Sequence, residues 1–442
     1  MIATRRVHEE LLHRIATRSA RVAVVGLGRV GLPFAVDNAK AGFVVTGIDH
    51  DAVCVAQVNQ GSNYLAHVSD RDMVDVVELG RLRATTSFEA LAESDIVAIC
   101  VATPLGPGRT PDFAPLAAIA SEIASRLHRG QLIILESGTY PGTTREVLLP
   151  ALARVPEVVG EDYFVAISPE RVDPGNPAFA AANTARVVSG ATPSCVELAC
   201  AFYGATVGTV VPVADVAVAE LTKVFENTFR AVNVALVNQL AILCDRMDVD
   251  VWDVIDAAAT KPFGMMRFEP GPGVGGSGVP FDLEYLAWQS RRNHAPAHLL
   301  EAAAEINASM PFFVRDKVGR ALNQRGRPLK GARVLLVGIA YKRDVPDALQ
   351  SPAHALARAL EHDGAVVSYH DPLVPRVRWW DGSRRVSVPL DVATLDAVDC
   401  AVVVTDHHGI DWNGLVAAAP VVVDARNATR GIPAERGRVV RL

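Results

Sequence analysis

The sequence lacks the compositional marks of several protein classes. Half of its 442 residues (50%) are hydrophobic and 21% are charged, so the low hydrophobicity of disordered chains is absent. Lysine and arginine total 43 against 49 acidic residues, a net charge of −6, and neither nucleic acid nor a membrane surface is an expected partner. The longest uncharged segment, residues 198–214, is interrupted by two glycines and a proline, which argues against a membrane span.

Cysteines are few and show no metal-binding pattern. The six lie far apart or at a CxxxxC spacing, without the CxxC pairs of zinc sites. We therefore expect no metal site and mostly buried thiols in a reducing compartment. The N-terminal segment is charged and amphipathic and has no apolar core of a signal peptide, so we predict a cytoplasmic location.

Short apolar runs alternate with helical stretches in two parts of the chain. One alternation begins at Arg21 and the other beyond Pro311, and both are typical of βαβ units with a parallel sheet. Between them, residues 216–248 have apolar positions at helical spacing and predict a helix of about nine turns, with further helix to about Ser309. We predict an α/β protein in which two Rossmann-like, doubly wound domains, residues 1–213 and 311–442, are joined by a helical central domain, residues 214–310.

A glycine-rich turn closes the first apolar strand and opens a helix. In the segment GLGRVG, Gly26 permits the tight turn, Gly28 lets the backbone approach a pyrophosphate, and Gly31 allows close helix packing. Val30 belongs to the same turn, and Asp49 ends the next strand, where its carboxylate can accept hydrogen bonds from both ribose hydroxyls. An ordinary glycine turn is the alternative, but strand, helix and acidic residue together predict a dinucleotide site that favours NAD over NADP.

Longer motifs carry a resemblance over nearly the whole chain. The sequence resembles the UDP-glucose/GDP-mannose dehydrogenase family, and more narrowly its branch that oxidises C6 of UDP-N-acetylhexosamines. The matching segments include VGLGRVGLP, ICVATPLGPGRTPD, LESGTYPGTT, SPERVDPGN, ELTKVFENTFRAVNVALVNQL, ATKPFGMMRFEPGPGVGGSGVPFD, GIAYKRDVPDALQSPA and DARN.

The resemblance implies a domain plan and a reaction. It implies an N-terminal NAD-binding domain, a helical middle whose long helix makes a dimer core, and a C-terminal domain that helps to hold the nucleotide diphosphate. The family reaction is a four-electron oxidation. An alcohol becomes an aldehyde, a cysteine captures it as a thiohemiacetal, a second hydride transfer gives a thioester, and hydrolysis gives the acid, with two NAD reduced per sugar.

The resemblance also carries roles to individual residues. Lys223 and Asn227 match the family's KxxxN pair, one helical turn apart, where the lysine stabilises the alkoxide or acts as base and the asparagine donates to the same oxygen. Asp282 orients the catalytic water or the lysine, Glu170 serves the hydrolytic step, and Thr103 contacts the nicotinamide side of the cofactor. Structural alternatives are an exposed helix face for the pair, a helix cap for Asp282 and a strand-end role for Glu170.

The small number of lysines and a glycine-rich loop both bear on which residues bind the substrate. Only six of the 43 basic residues are lysines, which favours a chemical role for Lys223. By resemblance, the glycine-rich loop with Gly273, Gly275 and Gly276 joins Lys223 and Asn227 in binding the nucleotide-sugar substrate. Arg267, beside that loop, could meet an additional anionic group or could simply be solvated.

The sequence departs from the family at three positions. Gly278 stands where the family has its nucleophilic cysteine, and Gly138 stands where a threonine usually holds the water. Leu349 replaces the arginine of the DxRxSP signature, which removes a charge-assisted contact to phosphate or across the dimer. Ser277 matches a serine already present beside the cysteine in one branch, so we do not interpret it as a substitute nucleophile.

These departures leave three hypotheses open. The first is an active NAD-dependent oxidoreductase on a UDP-sugar or related nucleotide that performs one two-electron oxidation or a redox-neutral epimerisation, because position 278 cannot form a thiohemiacetal. The second is full oxidation to the uronic acid without covalent capture. The third is a catalytically silent homologue that binds nucleotide sugars. In each case the long helix, at roughly 50 Å, exceeds one lobe, and its apolar face predicts a homodimer.

Overall fold

The computed structural model describes residues 2–65, 68–173, 183–276, 278–435 and 437–442. The chain divides into two compact units, residues 1–226 and 227–442. The long helix α8 (Val216–Met247) begins in the first unit and continues into the second. It therefore coincides closely with the helix predicted over residues 216–248.

The first unit is built on an eight-stranded sheet. Its order is β3-β2-β1-β4-β5-β6-β7-β8, and all neighbouring pairs are parallel except β6 and β7. The order from β3 to β5 is that of a dinucleotide-binding Rossmann sheet. The strands are β1 (Arg21–Val25), β2 (Val44–Ile48), β3 (Leu82–Thr85), β4 (Ile96–Ile99), β5 (Leu132–Leu135), β6 (Phe164–Ile167), β7 (Arg186–Gly190) and β8 (Val210–Pro212).

Helices cover both faces of this sheet. Val22 and Val24 point into one apolar core, whereas Ala23 and Val25 point into another on the opposite face, because strand side chains alternate. This double burial confirms the doubly wound prediction. The helices are α1 (Ile2–Ala16), α2 (Gly31–Lys40), α3 (Ala52–Asn59), α4 (Asp70–Glu78), α5 (Ala114–Ala124), α6 (Leu149–Leu152) and α7 (Pro193–Tyr203), with short 3-10 turns at Phe88–Glu93 and Pro107–Arg109 and a π turn at Thr144–Leu148.

The second unit holds a parallel five-stranded sheet of order β10-β9-β13-β14-β15 and one antiparallel hairpin, β11 with β12. The strands are β9 (Arg333–Val337), β10 (Val366–His370), β11 (Arg376–Arg378), β12 (Arg384–Val386), β13 (Cys400–Val403), β14 (Val422–Asp424) and β15 (Val439–Arg441). The helices after α8 are α9 (Val251–Ala259), α10 (Val279–Arg292), α11 (His298–Asn323), α12 (Pro352–His362), α13 (Val392–Asp396) and α14 (Trp412–Ala418). The alternation predicted beyond Pro311 is thus a second Rossmann-like sheet.

Helix α11 corrects one predicted boundary. The sequence suggested a helix ending near Ser309, but α11 continues through Pro311 to Asn323. Proline removes one backbone hydrogen bond, yet Met310, Val314 and Val318 are fully buried in the core under the second sheet, and this burial holds the helix together across the proline. The domain boundary drawn at residue 311 consequently falls inside a helix.

The loop after β9 is closed by a carboxylate. Asp371 follows β10 and accepts hydrogen bonds from the N–H groups of Ile339 and Ala340, at 2.7 and 2.9 Å. It also accepts from two residues of its own turn, and the ring of buried His407 lies 3.1 Å away. Burial opposes ionisation of Asp371, but these donors hold its pKa below the usual value. The carboxylate is therefore fully used inside the second unit.

The cysteines behave as predicted. Four of the six, Cys100, Cys195, Cys244 and Cys400, are buried, and all six are free thiols. Cys244 lies in a small apolar core between α8 and α9. Across the described ranges, no helix combines the length and apolar character needed to cross a bilayer.

Candidate active site

The glycine-rich turn after β1 has the geometry expected of a pyrophosphate cradle. Gly26 adopts φ +91°, and a Cβ atom there would lie 2.8 Å from the carbonyl oxygen of Cys100. A Cβ atom at Gly31 would lie 1.7 Å from the carbonyl oxygen of Gly26, whereas one at Gly28 would meet nothing within 4 Å. Two glycines are therefore required by packing, and the third leaves the backbone open to a ligand.

The start of α2 is also suited to an anion. Val30 is its N-cap residue and has no polar side chain that could bond the first N–H groups of the helix. These groups and the helix dipole favour a phosphate at this end. The residues of the turn therefore fit the NAD predicted from the sequence.

Asp49 is fixed against the same turn. Its Oδ2 accepts a hydrogen bond from the N–H of Leu27 at 2.7 Å, and its Oδ1 accepts one from the N–H of Asp51 at 2.9 Å. The hydroxyl of Tyr64 donates to the carbonyl oxygen of Leu27 at 2.7 Å, so the turn is bonded on both sides. The carboxylate thus lies at the end of β2, where the sequence predicts the ribose contact.

Thr103 and Gly138 connect the loops that follow β4 and β5. The Thr103 hydroxyl donates to the carbonyl oxygen of Gly138. Beside it, the hydroxyl of Ser137 is shared between the carbonyl oxygens of Ile99 and Val101, at 3.1 and 2.8 Å. A Cβ atom at Gly138 would meet nothing within 4 Å, so sterics do not explain this glycine.

Glu170 is held as an ionised carboxylate after β6. Its Oε1 accepts hydrogen bonds from the N–H groups of Arg171 and Val172, both at 2.7 Å, and its Oε2 accepts one from Arg186 at 2.9 Å. Burial raises the pKa of Glu170, but Arg186, these N–H groups and the charge of Lys223 together hold it below its usual value. The proposed structural role at a strand end and a role in catalysis are both compatible with this geometry.

The position of Lys223 on α8 is fixed by two glutamates, Glu220 and Glu226, which lie three positions before and after it. Glu220 accepts hydrogen bonds from the N–H and hydroxyl groups of Thr144, at 2.8 and 2.7 Å, and from the N–H of Gly142 at 2.5 Å. Glu226 forms a two-point ion pair with Arg171, at 2.5 and 3.1 Å. Both carboxylates fix the start of α8 to loops of the N-terminal sheet.

The lysine itself is left without such a bond. Lys223 is half-buried, and across the described residues it makes no hydrogen bond or ion pair. The sequence analysis missed Glu220 and Glu226, although their spacing of three on each side of Lys223 was a usable signal.

In the second unit, Asn227 and Asp282 form a buried pair. The Asn227 Nδ2 atom donates to Asp282 Oδ2 at 2.6 Å, and the two residues are only 6% and 3% exposed. The N-cap of α10 is Gly278, so the alternative that Asp282 is a helix cap is wrong. Because an amide has two N–H donors, Asn227 keeps one for another oxygen.

Comparison with known proteins decides the family. The UDP-glucose/GDP-mannose dehydrogenase family matches in three parts: its NAD binding domain at residues 20–207, its central domain at residues 217–309 and its UDP binding domain at residues 335–431. The chain belongs to this family. The family is enzymatic, and NAD is its cofactor, as predicted.

Individual relatives point to the predicted branch. The chain is 34% identical over 360 residues to UDP-N-acetyl-D-glucosamine 6-dehydrogenase of Pseudomonas aeruginosa, covering 81% of this chain and 84% of that protein. It is 31% identical over 421 residues to UDP-N-acetyl-D-mannosamine dehydrogenase of Pyrococcus horikoshii, covering 93% and 97%. A solved structure of the Pyrococcus horikoshii UDP-D-ManNAc dehydrogenase has a TM-score of 0.84 at 31% identity, covering 95% and 98%.

Position 278 is where the resemblance predicts the family's cysteine. Gly278 has φ −98°, which any residue can adopt, and among the described residues a Cβ atom there would have one neighbour within 4 Å, Asn227 Nδ2 at 3.2 Å. A side chain therefore fits here with a small shift, and glycine is not required by the backbone. Ser277 lies outside the described residues.

The glycine-rich loop before it has a packing reason for its glycines. A Cβ atom at Gly275 would lie 2.7 Å from the carbonyl oxygen of Gln350, and one at Gly276, with φ +85°, would lie 2.8 Å from the Tyr341 ring. Gly273 has φ +132°. These glycines let the loop pack closely within the second unit, and their role toward substrate stays a prediction.

Two arginines of the second unit differ in their charge partners. Arg267 is neutralised by Asp256 at 2.6 Å and Glu269 at 3.1 Å, so it is not free to meet an additional anion. Arg426 was not predicted as a site residue, although it stands in the DARN motif. Its Nε donates a hydrogen bond to the Val404 carbonyl oxygen at 3.0 Å. Burial lowers its pKa to about 10, and no carboxylate of the described residues lies within ion-pair distance of it.

Leu349 occupies an exposed position. Its side chain is 51% exposed, and its N–H donates to Asp347 Oδ1 at 2.8 Å. Nothing in the structure explains leucine in place of the family's arginine.

Proposed function

We propose that the protein is an NAD-dependent oxidoreductase that removes one hydride from a UDP-sugar of the N-acetylhexosamine type and stops at the carbonyl, or returns the hydride to give an epimer. The observation that carries this proposal is that the residues for activating an alcohol are present while the residue for covalent capture is not. Lys223 has no hydrogen-bond or ion-pair partner among the described residues and Asn227 is held by Asp282, while position 278 has no nucleophile.

The binding roles follow from the contacts already described. The turn at Gly28 and the start of α2 would hold the pyrophosphate, and Asp49 would hold the ribose. NAD, when bound, supplies the hydride acceptor. Within the second unit, Arg426 has no carboxylate at ion-pair distance among the described residues and is a candidate for binding a diphosphate.

The chemical roles belong to α8 and α10. Lys223 would accept the hydroxyl proton or stabilise the alkoxide as the C–H bond breaks, and the second N–H of Asn227 would donate to the same oxygen. Asp282 is a positioning residue, because it fixes the amide of Asn227 through the 2.6 Å hydrogen bond. Without a thiol at position 278, the carbonyl product has no covalent attachment and is released.

The test counts NADH and weighs the product. Purified protein is incubated with NAD and UDP-hexoses, UDP-N-acetylhexosamines and UDP-uronic acids, and the recovered nucleotide is analysed by mass spectrometry and chromatography. One NADH per sugar with loss of two hydrogens supports the carbonyl product, and no net NADH with an isomer of unchanged mass supports epimerisation. Two NADH and a uronic acid would contradict the proposal, as would NAD binding with no change in any sugar, which fits a silent binding protein.

One observation favours full oxidation as a second candidate. Glu170 is retained as an ionised carboxylate, the form a general base requires. It could activate a water that adds to the aldehyde, and the resulting hydrate would give a second hydride to NAD and a proton to solvent, which leaves the acid without a thioester. Glu170→Gln should then abolish only the second NADH, and loss of both or neither would count against this route.

We also propose a homodimer formed through α8. Leu221, Phe225, Phe229, Leu236 and Leu243 follow each other at helical spacing and are 41–66% exposed. Val224, three positions after Leu221, is fully buried and does not belong to this stripe. A stripe of large apolar side chains of this length is typical of a protein interface.

A further inference from the structure

A buried arginine joins two carboxylates at the carboxyl ends of neighbouring strands. Arg186, the first residue of β7, donates Nη1 to Glu136 at 3.0 Å and Nη2 to Glu170 at 2.9 Å. Glu136 directly follows β5, is completely buried, and also accepts a hydrogen bond from the hydroxyl of Tyr203. We call Glu136, Arg186 and Glu170 the arginine bridge.

The two carboxylates of the bridge are not equivalent. Glu170 has two backbone N–H donors and the charge of Lys223 in addition to Arg186, and these keep its pKa low against the effect of burial. Among the described residues, the side chain of Glu136 has two donors, Arg186 and the hydroxyl of Tyr203, and burial raises its pKa to about 7. Because one guanidinium cannot fully compensate two buried carboxylates, the proton goes to Glu136.

We propose that Glu136 is a positioning residue whose charge decides how Arg186 is shared with Glu170 and thereby tunes the field at Lys223 around neutral pH. This inference rests on the proposed function, in which Lys223 acts on the substrate hydroxyl. With Glu136 protonated, Glu170 alone matches the guanidinium. With Glu136 ionised, the bridge carries a net negative charge, and this charge attracts the Lys223 ammonium group more strongly.

Other titratable groups face the bridge from every neighbouring element. Tyr203 comes from α7 and Cys100 from the end of β4, and burial raises the pKa of both. Asp37 of α2 interacts with Arg186 and Glu170, and burial raises its pKa to about 6. Since Asp37 also titrates near neutrality, the experiment must separate it from Glu136.

The direct test needs no turnover. The side-chain carboxyl carbons of glutamate are labelled with carbon-13 and titrated by NMR, and the Glu136 signal is identified by its absence in Glu136→Gln. We expect Glu136 to titrate near neutral pH in the unaltered protein and its midpoint to fall by about one pH unit in Glu170→Gln, because a neighbouring like charge is removed. A Glu136 signal that does not titrate near neutrality, or is unmoved in Glu170→Gln, overturns the proposal.

The second test follows the pH profile of turnover. We expect an inflection near neutral pH in kcat that is lost in Glu136→Gln and retained in Asp37→Asn. Glu146→Gln is the matched control, since Glu146 is a glutamate outside the arginine bridge that accepts a hydrogen bond from the hydroxyl of Tyr140 at 2.7 Å. An unchanged inflection in Glu136→Gln overturns the proposal. Absence of turnover, with the NMR midpoint shifted as expected, means instead that the proposed function has failed.

Discussion

In the proposed function, the residue at position 278 sets how far the oxidation goes. Gly278 is the N-cap of α10, and a thiol there would lie at the positive end of a helix, which lowers a cysteine's pKa and favours the thiolate. Neither the backbone angle nor the neighbouring atoms require glycine. A cysteine at position 278 is therefore compatible with the fold.

This compatibility can be tested by introducing the thiol. We expect Gly278→Cys to form a second NADH per sugar and some uronic acid, because it restores a nucleophile beside Asn227. The effect should grow when Gly138→Thr is added, since position 138 also has open space. NADH yield and product mass are the measurements, with Gly278→Ala as control. A variant that binds NAD but stays at one NADH would show that the thiol is not what limits the reaction.

Lys223 is the residue on which the proposed chemistry depends most. Lys223→Ala should lower kcat by about 10²- to 10⁴-fold, the range for loss of a positioned acid–base group, while NAD affinity is unchanged. Lys261→Ala, which removes an exposed lysine, should leave kcat unaltered. Steady-state kinetics and calorimetric NAD binding make the comparison. Equal kcat values in the two variants would contradict the assignment.

At the scale of elements, the start of α8 depends on buried acceptors rather than on apolar packing alone. Glu220 satisfies two backbone N–H groups and one hydroxyl of the loop after β5. We expect Glu220→Ala to lower the free energy of unfolding by about 1–3 kcal/mol, because these buried donors lose their partner. Denaturant unfolding measures this, with exposed Glu78→Gln expected to change it by less than about 0.5 kcal/mol. A neutral Glu220→Ala would show that the loop finds other acceptors.

The elements also show what sequence could and could not predict. Residues 216–248 and the apolar runs of both sheets were predicted because their periodicity is long or their apolar character continuous. Strand β3 is short and alternates buried with exposed residues, and β7 begins with a buried arginine, so neither is a continuous apolar run that the sequence alone would single out. The passage of α11 through Pro311 depends on tertiary burial, which no local signal reports.

The residues of the candidate site also differ in whether the sequence could predict them. Lys223, Asn227, Asp282 and Glu170 were selected by motif, and their partners came only from the structure. Glu136 and Arg186 are 50 positions apart in sequence, and only the sheet order, with β6 between β5 and β7, brings them together.

For the molecule as a whole, the exposed stripe of α8 predicts an assembly. We expect a homodimer at micromolar concentration in sedimentation, and Phe225→Glu should shift it toward monomer, because a charge buried in an apolar interface is costly. Leu79→Glu is the control, since Leu79 is 71% exposed on the first unit and lies away from the stripe in sequence. A monomeric unaltered protein would contradict the prediction.

The closed loop at Asp371 has a kinetic consequence. Asp49 directly follows β2, and Asp371 directly follows β10. Asp49 faces an open glycine turn, whereas Asp371 already accepts hydrogen bonds from backbone N–H groups and contacts His407. If the turn after β1 is the dinucleotide site, as we propose, two successive hydride transfers there require spent cofactor to leave and fresh cofactor to enter. During that exchange an untethered carbonyl is free to escape. The ratio of its escape rate to the rate of cofactor exchange would then decide how many electrons each sugar gives up.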